Sequence, residues 1–126
     1  MDSELQEKLK QLDIEDFIWV IYIFIILMSW YSNHLERKYF IYKSEEDKKR
    51  YRTIIVFIFS ILIIVYLYFL NSSLEDIKKL SPRDTEKKKQ LVYLSFIGSL
   101  LIFISGAIFL YIALVDEDIN VELAFN

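Results

Sequence analysis

Cysteine is absent from all 126 residues. Its absence excludes disulfides, thiolate metal sites and thiol catalysis, and it removes any redox clue to compartment. Glycine occurs twice and proline once, so little in the chain interrupts long helices, and short connections are expected between them. The only histidine is His34. A zinc site needs further strong ligands close in space, and Glu36 alone does not supply them, so a solvated or interfacial imidazole is the expectation. The formal net charge is −3, which leaves no global basic field and argues against a nucleic-acid partner.

Charge is also missing from three long apolar runs, residues 17–31, 54–70 and 91–115. Ionisable groups inside a membrane span are the usual mark of an ion-coupled transporter or proton relay. None lies in these runs, and Asp16 and His34 stand only at a rim. No G-x-S-x-G, H-E-x-x-H, P-loop or dinucleotide fingerprint is present. Asp116-x-Asp118-x-Asn120 follows the first half of a calcium loop, but Val121 stands where that loop needs glycine for its sharp turn. The expectation is a protein that is not an enzyme, with no catalytic residue, no cofactor and no metal site.

What the chain does have is apolar bulk, 55% of its residues, gathered into those three blocks with charged stretches between them. The pattern predicts an all-α, polytopic membrane protein: three transmembrane helices running up-down-up, with ends extending beyond the bilayer, forming one domain over 1–126. The spans are expected at about 15–35, 53–71 and 91–115, followed by an acidic tail over 116–126. The longest run, Leu91–Val115, exceeds what a helix needs to cross a ~30 Å hydrocarbon core. The shortest, Phe17–Tyr31, carries Trp19 and Tyr22 near one end and Trp30 and Tyr31 at the other, which suit interfacial anchors.

Local signals refine the elements. The polar N-terminus lacks the layout of a secretory signal; Leu5, Leu9 and Leu12 recur at helical spacing, as in a short amphipathic helix or an extension of the first span. Leu35, Tyr39 and Tyr42 continue one face past the first span, and Ser44 followed by Glu45-Glu46-Asp47 reads as a cap with an acidic first turn. Asn71-Ser72-Ser73 is expected to end the second helix, Ser73 capping a short turn to about Leu80. Ser81-Pro82-Arg83-Asp84 reads as the start of the third. Ile119, Val121, Leu123 and Phe125 alternate with polar residues and suit an extended docking tail.

The third span is the expected packing element. Ser95, Ser99, Gly106 and Ala113 fall on nearly one line of the helix, with Gly98 and Ser105 beside it. Small residues favour helix contact in lipid by letting backbones approach and by freeing hydroxyls to bond across the gap. Whether this seam packs on the chain's own helices or on another copy stays open. The partners implied are the lipid bilayer and either this protein itself or another membrane protein, in a multi-pass membrane location. The function expected is assembly, as a homo-oligomer or an accessory subunit of a membrane complex. The alternative is a holin-like pore former or small channel, resembling phage holins in size and span number while departing from the basic tail many of them carry. Lys48-Lys49-Arg50 and Lys87-Lys88-Lys89 flank spans and either set topology or contact headgroups.

Overall fold

The computed structural model describes residues 2–123 and is all-α. Three helices follow in order: α1 (Ser3–Tyr42), α2 (Glu45–Lys78) and α3 (Glu86–Val115). The chain divides into two compact units, Met1–Ile54 and Ile55–Asn126.

In the first unit, α1 is one unbroken helix of 40 residues, about 60 Å long at the helical rise. The polar N-terminal stretch is its first part, not a separate helix. The Asp2 carboxylate caps it by accepting from the Glu4 N–H at 3.2 Å. Ile18, Ile25, Ser32 and Leu35 form its buried stripe. The Ser32 hydroxyl is satisfied within the helix, donating to the Ser29 carbonyl at 2.7 Å. The helix ends after Tyr42 because Lys43 takes the left-handed conformation at φ 55°, a rare position for a non-glycine residue. Its N–H closes the end by donating to the Tyr39 carbonyl at 2.7 Å. Ser44 then caps α2 as the sequence implies, its hydroxyl accepting from the Asp47 N–H at 3.3 Å. The chain reverses here, and the Lys48 ammonium lies 5.5 Å from the Tyr39 ring centroid.

In the second unit, Ile55, Ile58, Phe59, Leu62 and Val65 are the buried apolar positions of α2, with Ser73 buried beyond them. Their three- and four-residue spacing is that of a helix packed along one face. The Phe59 ring meets Phe109 of α3 at 5.8 Å between centroids. The Ser60 hydroxyl donates to the Val56 carbonyl at 2.7 Å, a local bond that needs no partner helix.

Three local expectations are corrected. α2 does not stop at Asn71-Ser72-Ser73 but runs to Lys78. Ser73 donates back to the Leu70 carbonyl at 2.9 Å, which satisfies its hydroxyl inside the helix and removes its reason to cap a new turn. α3 does not begin at Ser81-Pro82. Those residues form a separate turn in which the Ser81 N–H donates to the Asp84 carboxylate at 2.8 Å and the Asp84 N–H to the Ser81 carbonyl at 3.0 Å. The helix starts one step later, at Glu86, with the Thr85 hydroxyl accepting from the Lys88 N–H at 3.1 Å. Beyond Val115 the chain turns where alternation implies an extended segment. The Asp116 carboxylate gathers the N–H groups of Asn120 and Val121 at 3.0 Å each and the Asn120 side-chain amide at 3.0 Å, and Ile119 sits at φ 55°. Phe125 lies outside the described residues.

α2 and α3 are long and apolar enough to cross a membrane, by length and composition. Little of them is sheltered: 28% of the most apolar stretch of α2 and 11% of that of α3 are buried inside the chain.

Candidate functional site: the open faces of α3

The small residues predicted to form one seam divide into two groups. Gly106 and Ala113 are buried. Gly106 is where α3 comes against α2: a Cβ there would lie 2.9 Å from Tyr66 Cδ2, 3.1 Å from Tyr66 Cε2 and 3.3 Å from Ile63 Cδ1. Ser99 is half-buried, while Ser95, Gly98 and Ser105 are exposed. A Cβ at Gly98 would meet nothing within 4 Å.

Hydroxyl bonding separates the serines further. Ser32, Ser60 and Ser73 all donate to a carbonyl of their own helix. The hydroxyls of Ser95 and Ser105 have no hydrogen-bond partner among the described residues. In a low-dielectric setting such a group is costly unless a neighbour supplies the bond.

Around these small residues the exposed surface is apolar. Leu94, Leu101 and Ile108 stand exposed beside Gly98 and Ser105, with Ile97, Ile104 and Tyr111 further round. α1 has a similar belt, in which Phe24 is 65% and Trp30 75% exposed.

At the N-terminal end of α3 an open groove of about 450 Å³ lies between the end of α2 and the start of α3. Asp76, Thr85, Lys87 and Lys88 form its polar end; Leu91, Val92 and Ser95 form its apolar floor. The Lys88 ammonium contacts the Asp84 carboxylate at 3.2 Å. The Asp84 carboxyl is held below its usual range, first by the Ser81 N–H and then by that ammonium. Lys87 has no ionic partner among the described residues.

Of the other residues singled out from sequence, His34 is exposed, its ring 6.5 Å from that of Tyr31. In the tail, Leu123 is buried, Val121 is exposed and Ile119 is half-buried. Among the described residues no group of three or more His, Cys, Asp or Glu side chains is placed to hold a metal ion. Sequence reasoning missed Tyr66 and Ile63 as the partners of Gly106, and Asp76 as a lining residue of the groove, because the register between α2 and α3 leaves no trace in either helix read alone. The Asp116 turn had a readable signal, a carboxylate followed four residues later by Asn120. No family model matches this chain, and no curated protein or solved structure matches it either.

Proposed function

We propose that this chain is a small multi-pass membrane protein with three spans that works by assembly, through the exposed face of α3, with a second copy of itself or as an accessory subunit of a membrane complex. The observation that carries the reading is the open small-residue surface of α3. Gly98 leaves room for another backbone, and the Ser105 hydroxyl lacks a partner, on a helix whose most apolar stretch is only 11% buried inside its own chain. In lipid, bulk apolar surface gives no preference for protein over solvent, whereas small residues and unsatisfied hydroxyls do. The belts of exposed Phe, Trp, Ile and Leu on α1 and α3 exceed what a water-facing surface carries, and they fit lipid contact along each helix. This supports counting α1 as the third span, although its uncharged run is the shortest.

Cross-linking tests the reading. Ser105 and Ile104 lie at one depth on α3 and about 100° apart around it. In a chain without native cysteine, Ser105→Cys is expected to give a disulfide-linked dimer, or one cross-linked species of defined mass in native membranes; Ile104→Cys is expected to give neither. Equal behaviour of the two variants overturns the assembly face. Rapid collapse of membrane potential on expression supports the holin-like pore in its place.

A further inference from the structure

We infer that the groove at the N-terminal end of α3 is a binding site for an anionic glycerophospholipid of the surrounding bilayer, its phosphodiester held by Lys87 and Lys88 and one acyl chain lying along Leu91, Val92 and Ser95. The inference rests on the membrane reading above but not on the assembly face.

The groove has the polarity sequence of a phospholipid. Its lining begins with Thr85, Lys87 and Lys88, passes Leu91 and Val92, and ends at Ser95. Lys87 precedes Leu91 by one helical turn, about 6 Å, and Ser95 by about 12 Å. Leu91 opens the uncharged run of α3, so the ammonium groups stand at headgroup depth while the floor descends into the hydrocarbon. Lysines in this position extend their heads toward the phosphates.

Charge complementarity selects an anionic headgroup. Two ammonium groups and one carboxylate line the groove, a formal +1 at pH 7, in a chain whose net charge is −3. Lys88 is shared with Asp84 at 3.2 Å, whereas Lys87 has no ionic partner among the described residues. The positive end of the α3 dipole adds to the same field. Asp76 is the one lining group that repels a phosphate, and it has a use if the headgroup carries hydroxyls, since a carboxylate accepts hydrogen bonds from them. A glycerol headgroup satisfies both ends.

The groove is also where helix contact gives out. Gly106 and Ala113 are buried on the same line of α3 that carries Ser95, and Gly106 does so against Tyr66. At Ser95 that line is exposed and its hydroxyl lacks a partner.

The full chain reconstituted in bilayers of phosphatidylcholine with one-fifth phosphatidylglycerol provides the test. Vesicle flotation first shows whether each variant inserts; retained lipid is then measured by native mass spectrometry. Wild type is expected to retain phosphatidylglycerol at a ratio to phosphatidylcholine at least fivefold above that of the bilayer, and millimolar inorganic phosphate is expected not to displace it. Lys87→Gln with Lys88→Gln is expected to abolish the enrichment, and Val92→Trp, which fills the floor without changing charge, to do the same. Lys78→Gln with Lys79→Gln, outside the lining, is expected to preserve it. Flotation without enrichment in wild type, or enrichment unchanged in both groove variants, overturns the lipid site and leaves the membrane reading standing. Failure of the wild type to float overturns both.

Discussion

Gly106 of α3 faces the Tyr66 ring of α2 so closely that a Cβ at this position would lie 2.9 Å from Tyr66 Cδ2. The nearest atoms are side chain, not backbone, so Gly106→Ala is expected to be absorbed by a small movement of the ring. Gly106→Leu adds three more carbons to a position where Ile63 Cδ1 already lies at 3.3 Å from that Cβ, more than one ring movement absorbs. Overpacking of this kind costs about 1–3 kcal/mol. Denaturant titration in micelles, followed by circular dichroism, is expected to show that loss for Gly106→Leu and almost none for Ile108→Leu, whose side chain is exposed. Gly98→Leu is expected to keep the stability of the single chain while weakening its assembly on detergent gel filtration. Equal stability of Gly106→Leu and Gly98→Leu would mean that the α2–α3 contact is not built around Gly106.

Phe59 and Phe57 lie two residues apart on α2 with opposite surroundings. Phe59 is 1% exposed, with its ring tilted by 40° against that of Phe109; Phe57 is 54% exposed. In a bilayer a truncated side chain loses packing rather than transfer from water, so the cost is smaller than the ~3–5 kcal/mol of a soluble core. Phe59→Ala is expected to destabilise by on the order of 1–2 kcal/mol, the cavity part alone, and Phe57→Ala by much less. Unfolding of the two variants in micelles reads the difference directly. A larger loss for Phe57→Ala would contradict the packing of α2 described above.

These contrasts mark what can be read from the chain alone. Helix identity follows from charge-free runs, and helix ends follow where a single residue decides them, as Ser44 does for α2. Ser81-Pro82 misleads because two competing uses of one serine, helix cap and turn, differ only in what Asp84 does, and Asp84 closes the turn. Ser73 misleads because a hydroxyl in an apolar setting bonds its own helix at least as readily as it caps another. The seam of α3 is legible as a line of small residues, but its division into a buried part at Gly106 and an open part at Ser95 depends on where α2 lies. That is a property of two helices together, and neither sequence segment encodes it separately.

The Asp116 turn makes the tail sensitive to acid. The Asn120 N–H is the main cause that holds the Asp116 carboxyl below its usual value, opposed by partial burial and aided by the Val121 N–H and the Asn120 side chain. A carboxyl depressed in the folded chain contributes its stabilisation in full above the unfolded value of about 3.9. It loses that contribution as pH falls through the lower folded value. Amide NMR shifts of Asn120 and Val121 are therefore expected to titrate together with a midpoint below about 3.9. Asp116→Asn is expected to remove that titration. A midpoint at or above the unfolded value would show that the carboxylate does not hold the turn.

Span count decides topology, and it can be read from the two ends of the chain. α2 and α3 alone would bring both ends to one side of the membrane; α1 as a third span places them on opposite sides. α1 carries the least decisive run, Phe17–Tyr31, along which Phe17, Trp19, Phe24 and Trp30 are exposed; the proposed three-span reading gives that surface to lipid. Trp19 and Tyr22 pair edge to face at 5.6 Å near one end of that run, where the three-span reading expects interfacial anchors. Single cysteines at Ser3 and Asn126 are therefore expected to react with an impermeant thiol reagent from opposite sides in oriented vesicles. Labelling of both from the same side would demote α1 to a helix outside the bilayer. Orientation is set by a narrow margin. With three spans, Lys8, Lys10, Lys78, Lys79, Arg83, Lys87, Lys88 and Lys89 would fall on the side of the N-terminus, against Arg37, Lys38, Lys43, Lys48, Lys49, Arg50 and Arg52 on the other. In the three-span reading the first helix, which usually dominates such a contest, favours its following loop inside by that margin, so the N-terminus is expected outside. Adding two or three lysines to the N-terminal tail is expected to shift the labelling pattern toward the inverted orientation. A single orientation unchanged by those lysines would mean that assembly, not charge, fixes how the chain sits.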